Sequence, residues 1–129
     1  MKPLLLILSL VTLLAGCRRQ ESVSSLAGSY YRGDHTGYNI YLDLLTNGAY
    51  KAEWYGCLGS YGKAGGTWSV TGDRVVFVPS TETDMMKGHL KELHIVHQHG
   101  QVMFVPNLQD EYYKKYGADE YSAFQRKQK

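Results

Sequence analysis

Apolar and polar residues alternate with a period of two over much of the chain, the pattern of strands buried on one face. Ile40, Leu42 and Leu44 alternate with Tyr41 and Asp43, and the alternation resumes after Thr46-Asn47-Gly48 through Tyr50, Ala52 and Trp54. Two turns compete here. A two-residue Asn-Gly turn sets Leu42 opposite Glu53 and Leu44 opposite Lys51, mixing apolar and charged groups on one face. A three-residue Thr-Asn-Gly loop, with Gly48 left-handed, pairs Ile40, Leu42 and Leu44 with Trp54, Ala52 and Tyr50. It also sets Asp43 against Lys51 and Tyr41 against Glu53. The second register segregates both faces and pairs the charges, so it is the expected one.

A second hairpin turns at Gly72-Asp73, with Val70 opposite Val75 and Trp68 opposite Phe77. Pro79 cannot donate to a ladder and is expected to end that strand. A third hairpin joins Leu90–His97 to Gln101–Val105 through His99-Gly100. After Pro106 the period changes. Asn107 is positioned to cap a helix with Asp110 at its third residue, Leu108, Tyr112 and Tyr116 form a stripe, and Gly117 stops it. Glu120–Arg126 reads as a closing strand. With a first strand near Ser29–Tyr31, the expected fold is mainly β. It is a small antiparallel barrel or sandwich of about 7–8 strands with one short helix before the last strand. Pairing of the first and last strands removes two exposed edges.

The first 17 residues have a different pattern. Lys2 precedes an apolar run from Leu4 to Leu14, interrupted by Ser9 and Thr12. The run is shorter than the ~20 residues a bilayer span needs, and it reads as a secretory leader. Leu14-Ala15-Gly16-Cys17 resembles the lipobox of bacterial lipoproteins. That resemblance implies that residues 1–16 are a signal peptide cut away before Cys17. It also implies a diacylglycerol on the Cys17 thiol and an acyl chain such as palmitate on the new amine. Arg18 stands where an Asp would retain a lipoprotein at the inner membrane, which implies an outer-membrane anchor on the periplasmic side. The alternative is an ordinary secretory leader with a chance cysteine. Polar residues without periodicity follow, so residues 17–27 read as lipidated cysteine and flexible tether, and 28–129 as a single β-rich domain.

Composition narrows the picture. The chain has 129 residues, 43% hydrophobic and 20% charged, which fits one globular domain. A net charge of +2 gives no electrostatic footing for nucleic acid. The two cysteines make no disulfide framework.

Leu42-x-Leu44, Asn47-Gly48-Ala49-Tyr50 and Gly66-Thr67-Trp68-x-Val70-x-Gly72-Asp73 resemble the small lipocalin-like barrels of bacterial envelope lipoproteins, including the N-terminal domain of the copper-homeostasis lipoproteins. The likeness spans residues 28–79. That family's Cys-x-x-Cys pair is absent, so neither metal sensing nor redox activity follows from it.

Candidate chemistry is sparse. Residues 56–66, GCLGSYGKAGG, imitate a phosphate loop at Gly62-Lys63. Cys57 occupies the required earlier glycine, however, and Ala64 replaces the hydroxyl that would hold magnesium. Ser60 lies in no nucleophile elbow, because Leu58 takes the first glycine position. The stretch reads either as a flexible connection between hairpins or as a ligand-binding rim of Tyr55, Cys57, Tyr61 and Lys63 at the barrel mouth. Cys57 on its own reads as a small buried hydrophobe. His94, His97 and His99, with Met85 and Met86 nearby, offer imidazole and thioether for copper or zinc, or else an exposed polar hairpin. Glu82 and Asp84 suit a turn capped by Ser80 better than acid–base work. The 11 tyrosines offer faces for sugar rings.

No nucleophile–base or metal triad has a recognisable spacing, and no cofactor is implied. The expectation is a lipid-anchored, periplasm-facing binding or interaction module without catalysis. It would hold a small apolar or glycan ligand, or dock an envelope protein, at the Gly56–Gly66 end. The alternatives are a metal-binding envelope-stress or homeostasis lipoprotein and a hydrolase inhibitor.

Overall fold

The computed structural model describes residues 21–33 and 37–128. The leader and Cys17 lie outside the described residues. Eight antiparallel strands close into a barrel in chain order: β1 Gly28–Gly33, β2 Asn39–Leu44, β3 Ala49–Gly56, β4 Gly59–Thr71, β5 Arg74–Glu82, β6 Glu92–Gln98, β7 Gln101–Val105 and β8 Phe124–Arg126. β8 returns to β1 through Tyr30↔Arg126 and Tyr31↔Gln125, so neither terminal strand keeps a free edge. Helix α1 (Val23–Leu26) precedes the barrel, and α2 (Glu111–Tyr116) lies between β7 and β8.

The first hairpin has the register that charge and burial select: Ile40↔Trp54, Leu42↔Ala52, Leu44↔Tyr50, with Asp43↔Lys51 and Tyr41↔Glu53 on the other face. Gly48 sits at φ +85°, and the Asn47 side chain accepts from the Ala49 N–H. The second hairpin pairs Val70 with Val75 and Trp68 with Phe77. The third turns at His99 and Gly100, both at positive φ (52° and 73°), the primed geometry that matches strand twist.

Four local expectations are corrected. Pro79 does not end β5, because a bulge opposite Gly65/Gly66 absorbs its missing donor and the Ser80 hydroxyl donates to the Gly65 carbonyl. Residues 59–66 are not a flexible connection but the first half of β4, and only Cys57 and Leu58 remain as the turn. α2 starts at Glu111 with Asp110 as its cap, while Asn107 organises only the turn before it. The closing strand is shortened to Phe124–Arg126, since Asp119 draws residues 121 and 122 into a turn.

The expected tether is also shorter. Ser22 and Ser25 form a reciprocal capping box, and the single turn they start buries Leu26 completely. Its carbonyls are held from the far end of the chain. Arg126 donates to Ser25 O (2.9 Å) and Ala27 O (3.4 Å), and the Tyr30 hydroxyl donates to Leu26 O (2.6 Å). α1 thus plugs the barrel end that carries the β2–β3, β4–β5 and β6–β7 turns.

The interior is a packed core. Tyr30, Tyr50, Phe104, Phe124, Leu26, Leu42, Leu44, Leu90 and Leu93 are each at most 2% exposed. At the upper end the β5–β6 connection folds inward as a 3-10 turn, Asp84–Met86. It fits because Gly62 has no side chain; a Cβ there would lie 2.6 Å from Thr83 O and 2.8 Å from Met86 N. Met86 and Leu90 are thereby buried. Among the described residues, these two side chains fill the upper end of the interior. A second small core lies outside β7, where Met103 and Val105 pack against Ala118 and Ala123 of the crossover. No helix among the described residues is long and apolar enough to cross a membrane.

Candidate functional site

A groove of about 820 Å³ lies on the outside of the barrel over β2 to β5. Its shape follows from the strand sequences. Outward positions carry Tyr41 and Asp43 on β2, Lys51 and Glu53 on β3, Lys63 and Thr67 on β4, and Val78 on β5. Gly65 interrupts this row with no side chain, between Lys51 and Thr81. The bulge beside it bends the surface into a saddle. Charges alternate along the floor. Lys63 Nζ lies 3.9 Å from Glu53 Oε1, an exposed pair worth little to stability but able to exchange partners with a ligand. The groove offers both signs of charge, threonine hydroxyls, and the apolar surface of Tyr41 and Val78.

The residues expected to form one rim are divided between surfaces. Lys63 lines the outer groove. Tyr55 points outward and meets Tyr41 edge-on at 6.4 Å. Tyr61 leans over Gly56 to meet Tyr38 at 5.2 Å; a Cβ on Gly56 would strike both rings. Cys57 is exposed in the turn, not buried, because β3 and β4 extend beyond the core and carry it clear. Its neighbour Leu58 is 92% exposed, and Met85 is also exposed.

The histidines are likewise separated. His94 opposes Arg74 on the outer face, a cationic neighbour unsuited to a metal. His97 Nε2 lies 3.2 Å from Glu21 Oε1 beside α1, and His99 occupies the turn. No three His, Cys, Asp or Glu side chains among the described residues are placed to hold a metal ion. Glu82 accepts from the Gly88 N–H and so braces the β5–β6 connection. Ser80 does not cap the 3-10 turn, whose preceding residue is Thr83.

Two further rings are electrostatically tuned, that of the buried Tyr30 and that of the solvent-exposed His89. Burial raises the Tyr30 pKa, although the hydrogen bond and charge of Arg126 oppose the rise. His89 packs its ring 4.8 Å from Trp54, and desolvation together with the charge of Arg32 lowers its pKa.

Sequence reasoning missed a second cluster, in the crossover between β7 and β8. The Tyr112 hydroxyl donates to Asp119 Oδ2 at 2.7 Å, which pushes the phenol up to about 12. Burial raises the Asp119 pKa, but bonds from Tyr112, Tyr121 and Ser122 outweigh it and the net shift is downward. Tyr112 also packs at a tilt against Tyr116 (4.7 Å, 44°) and meets Tyr121 at 6.4 Å and 84°. The available signal was Asp119-x-x-Ser122, a side-chain turn motif that fixes a loop.

Comparison with family models, with characterised proteins and with solved structures gives no match to this chain.

Proposed function

We propose that this protein is a lipid-anchored module of the bacterial envelope. It faces the periplasm from the outer membrane and binds a partner protein on the outside of a rigid barrel without catalysing a reaction. The anchor reading rests on Leu14-Ala15-Gly16-Cys17 behind a leader of suitable length. Two or three acyl chains, at roughly 0.8 kcal/mol per buried CH₂, hold such a module stably on a membrane. The observation that carries the binding reading is the outer groove of about 820 Å³ with Lys63 on its floor. A filled interior favours an external surface over an enclosed ligand, and alternating charges suit a polypeptide partner more than a purely apolar one.

The test is native mass spectrometry of the full chain purified from membranes. The expected result is a lipid-modified mass with a co-purifying protein, lost when Lys63→Glu reverses the charge or Gly65→Leu fills the saddle. Position 65 tolerates a side chain, since a Cβ there meets nothing closer than 3.4 Å. An unmodified Cys17, or a complex indifferent to both substitutions, refutes the reading.

One observation favours a second reading. Leu58, 92% exposed at the tip of a two-residue turn, has the form of a plug presented by a rigid scaffold, as an inhibitor of a hydrolase would present it. Loss of the co-purifying protein on Leu58→Asp, with Lys63→Glu silent, selects that reading.

A further inference from the structure

A separate pocket of about 220 Å³ opens between the upper end of β1 and the β7–β8 crossover. Its volume falls below the ~300–1,000 Å³ typical of drug-sized ligands, so it suits a single ring. Tyr112 and Tyr121, at 84° to one another, form a corner in its wall. Arg32, Asn107 and Asp110 supply the polar lining.

We propose that this pocket binds one neutral pyranose ring of a glycan. The C–H face of a pyranose packs on tyrosine, and its neighbouring hydroxyls need a mixture of donors and acceptors at fixed positions. The pocket provides that mixture. Asp110 uses Oδ1 to accept from the Tyr113 N–H at the start of α2, and Asn107 uses Oδ1 to accept from the Gln109 N–H. Both side chains are therefore fixed by their own turns, and each presents a second polar atom. Arg32 has five N–H donors, enough to serve a ligand alongside its protein contacts.

Competing ligands fit less well. The Asp110 carboxylate repels phosphate, and no three metal-ligating side chains converge among the described residues. A peptide needs a longer cleft. The pocket is rigid before binding: Tyr112 is held by Asp119 at its hydroxyl and by Tyr116 on its ring, so little ordering cost opposes the ligand.

The inference goes beyond the partner-binding groove and does not depend on the lipid. The test is saturation-transfer NMR on the full chain in a zwitterionic detergent without a sugar headgroup. The probes are methyl β-pyranosides of the gluco, galacto and 2-acetamido series at millimolar concentration. Transfer to the C–H protons of one ring face is expected. Tyr121→Leu abolishes it, and Asp110→Asn, whose amide still caps α2, weakens binding about tenfold or more. Gly65→Leu and Cys17→Ser leave it unchanged. Should Tyr121→Leu fail to fold, Asp110→Asn decides. No transfer to any probe, or equal transfer to the parent and Asp110→Asn chains, overturns the proposal. Transfer that disappears in Gly65→Leu overturns it too, because the sugar then occupies the outer groove.

Discussion

Two buried tyrosines differ by one oxygen's surroundings, and removing that oxygen should have opposite effects. Tyr30 and Tyr50 are 0% and 1% exposed. The Tyr30 hydroxyl donates to Leu26 O at 2.6 Å and accepts from Arg126 Nη2 at 2.8 Å. The Tyr50 hydroxyl is buried with no hydrogen-bond partner among the described residues. A neutral hydrogen bond contributes ~1 kcal/mol and one to a charged group ~1.5–3. Arg126 keeps its bond to Ser25 O at 2.9 Å after Tyr30→Phe, so the loss lies near ~2–3 kcal/mol. For a domain near 100 residues that lowers Tm by roughly 10–15 °C. Tyr50→Phe removes a desolvated, unpaired group and should be neutral or stabilising by up to ~1 kcal/mol. Urea denaturation followed by tryptophan fluorescence, with m unchanged, measures both. Equal losses in the two variants, or a loss above ~1 kcal/mol in Tyr50→Phe, refute the hydrogen-bond reasoning.

Other expectations follow from the same structure. Gly62→Ala should destabilise by ~2–4 kcal/mol, because its Cβ pushes the 3-10 turn off β4 and exposes Met86, whereas Gly65→Ala should cost under ~1; urea midpoints compare them. Cys57 should react with Ellman's reagent in the native protein at the rate of an exposed thiol, and protection until unfolding contradicts its placement. The Tyr30 and Tyr50 pKa values are raised above 10 because ionising either phenol in the folded chain is penalised by burial, so stability is unaffected by them below that pH and falls as pH rises through the folded values. The alkaline fall in Tm should be shallower in Tyr30→Phe than in the parent chain.

The barrel was largely legible because its hairpins are governed by local chemistry. The first register followed from charge pairing across Asp43–Lys51 and the φ > 0 that Gly48 permits, and the structure has it. Legibility failed where a distant group decides the outcome. α1 looked like a tether, since its one buried side chain, Leu26, and its carbonyl partner, Arg126, lie a whole domain apart in sequence. Residues 59–66 looked mobile because glycine-rich composition signals turns, yet these glycines admit the 3-10 turn and the bulge of neighbouring strands. Val102–Val105 reads as a continuous apolar run because β7 is covered on both faces, a fact about the crossover and not about the strand. The groove was half legible. Lys63 was singled out, but its neighbours across the sheet were not, because outward residues of adjacent strands meet only once the register is known.

The clasp between Arg126 and the backbone of Ser25 and Ala27 also sets a load path. Tension applied ahead of Glu21 reaches this guanidinium before it reaches the sheet. Once the clasp slips, a pull along the axis of β1 shears its ladders to β2 and β8 in parallel, whereas a pull that separates Gly28 from Arg126 opens the β1–β8 pairs one by one.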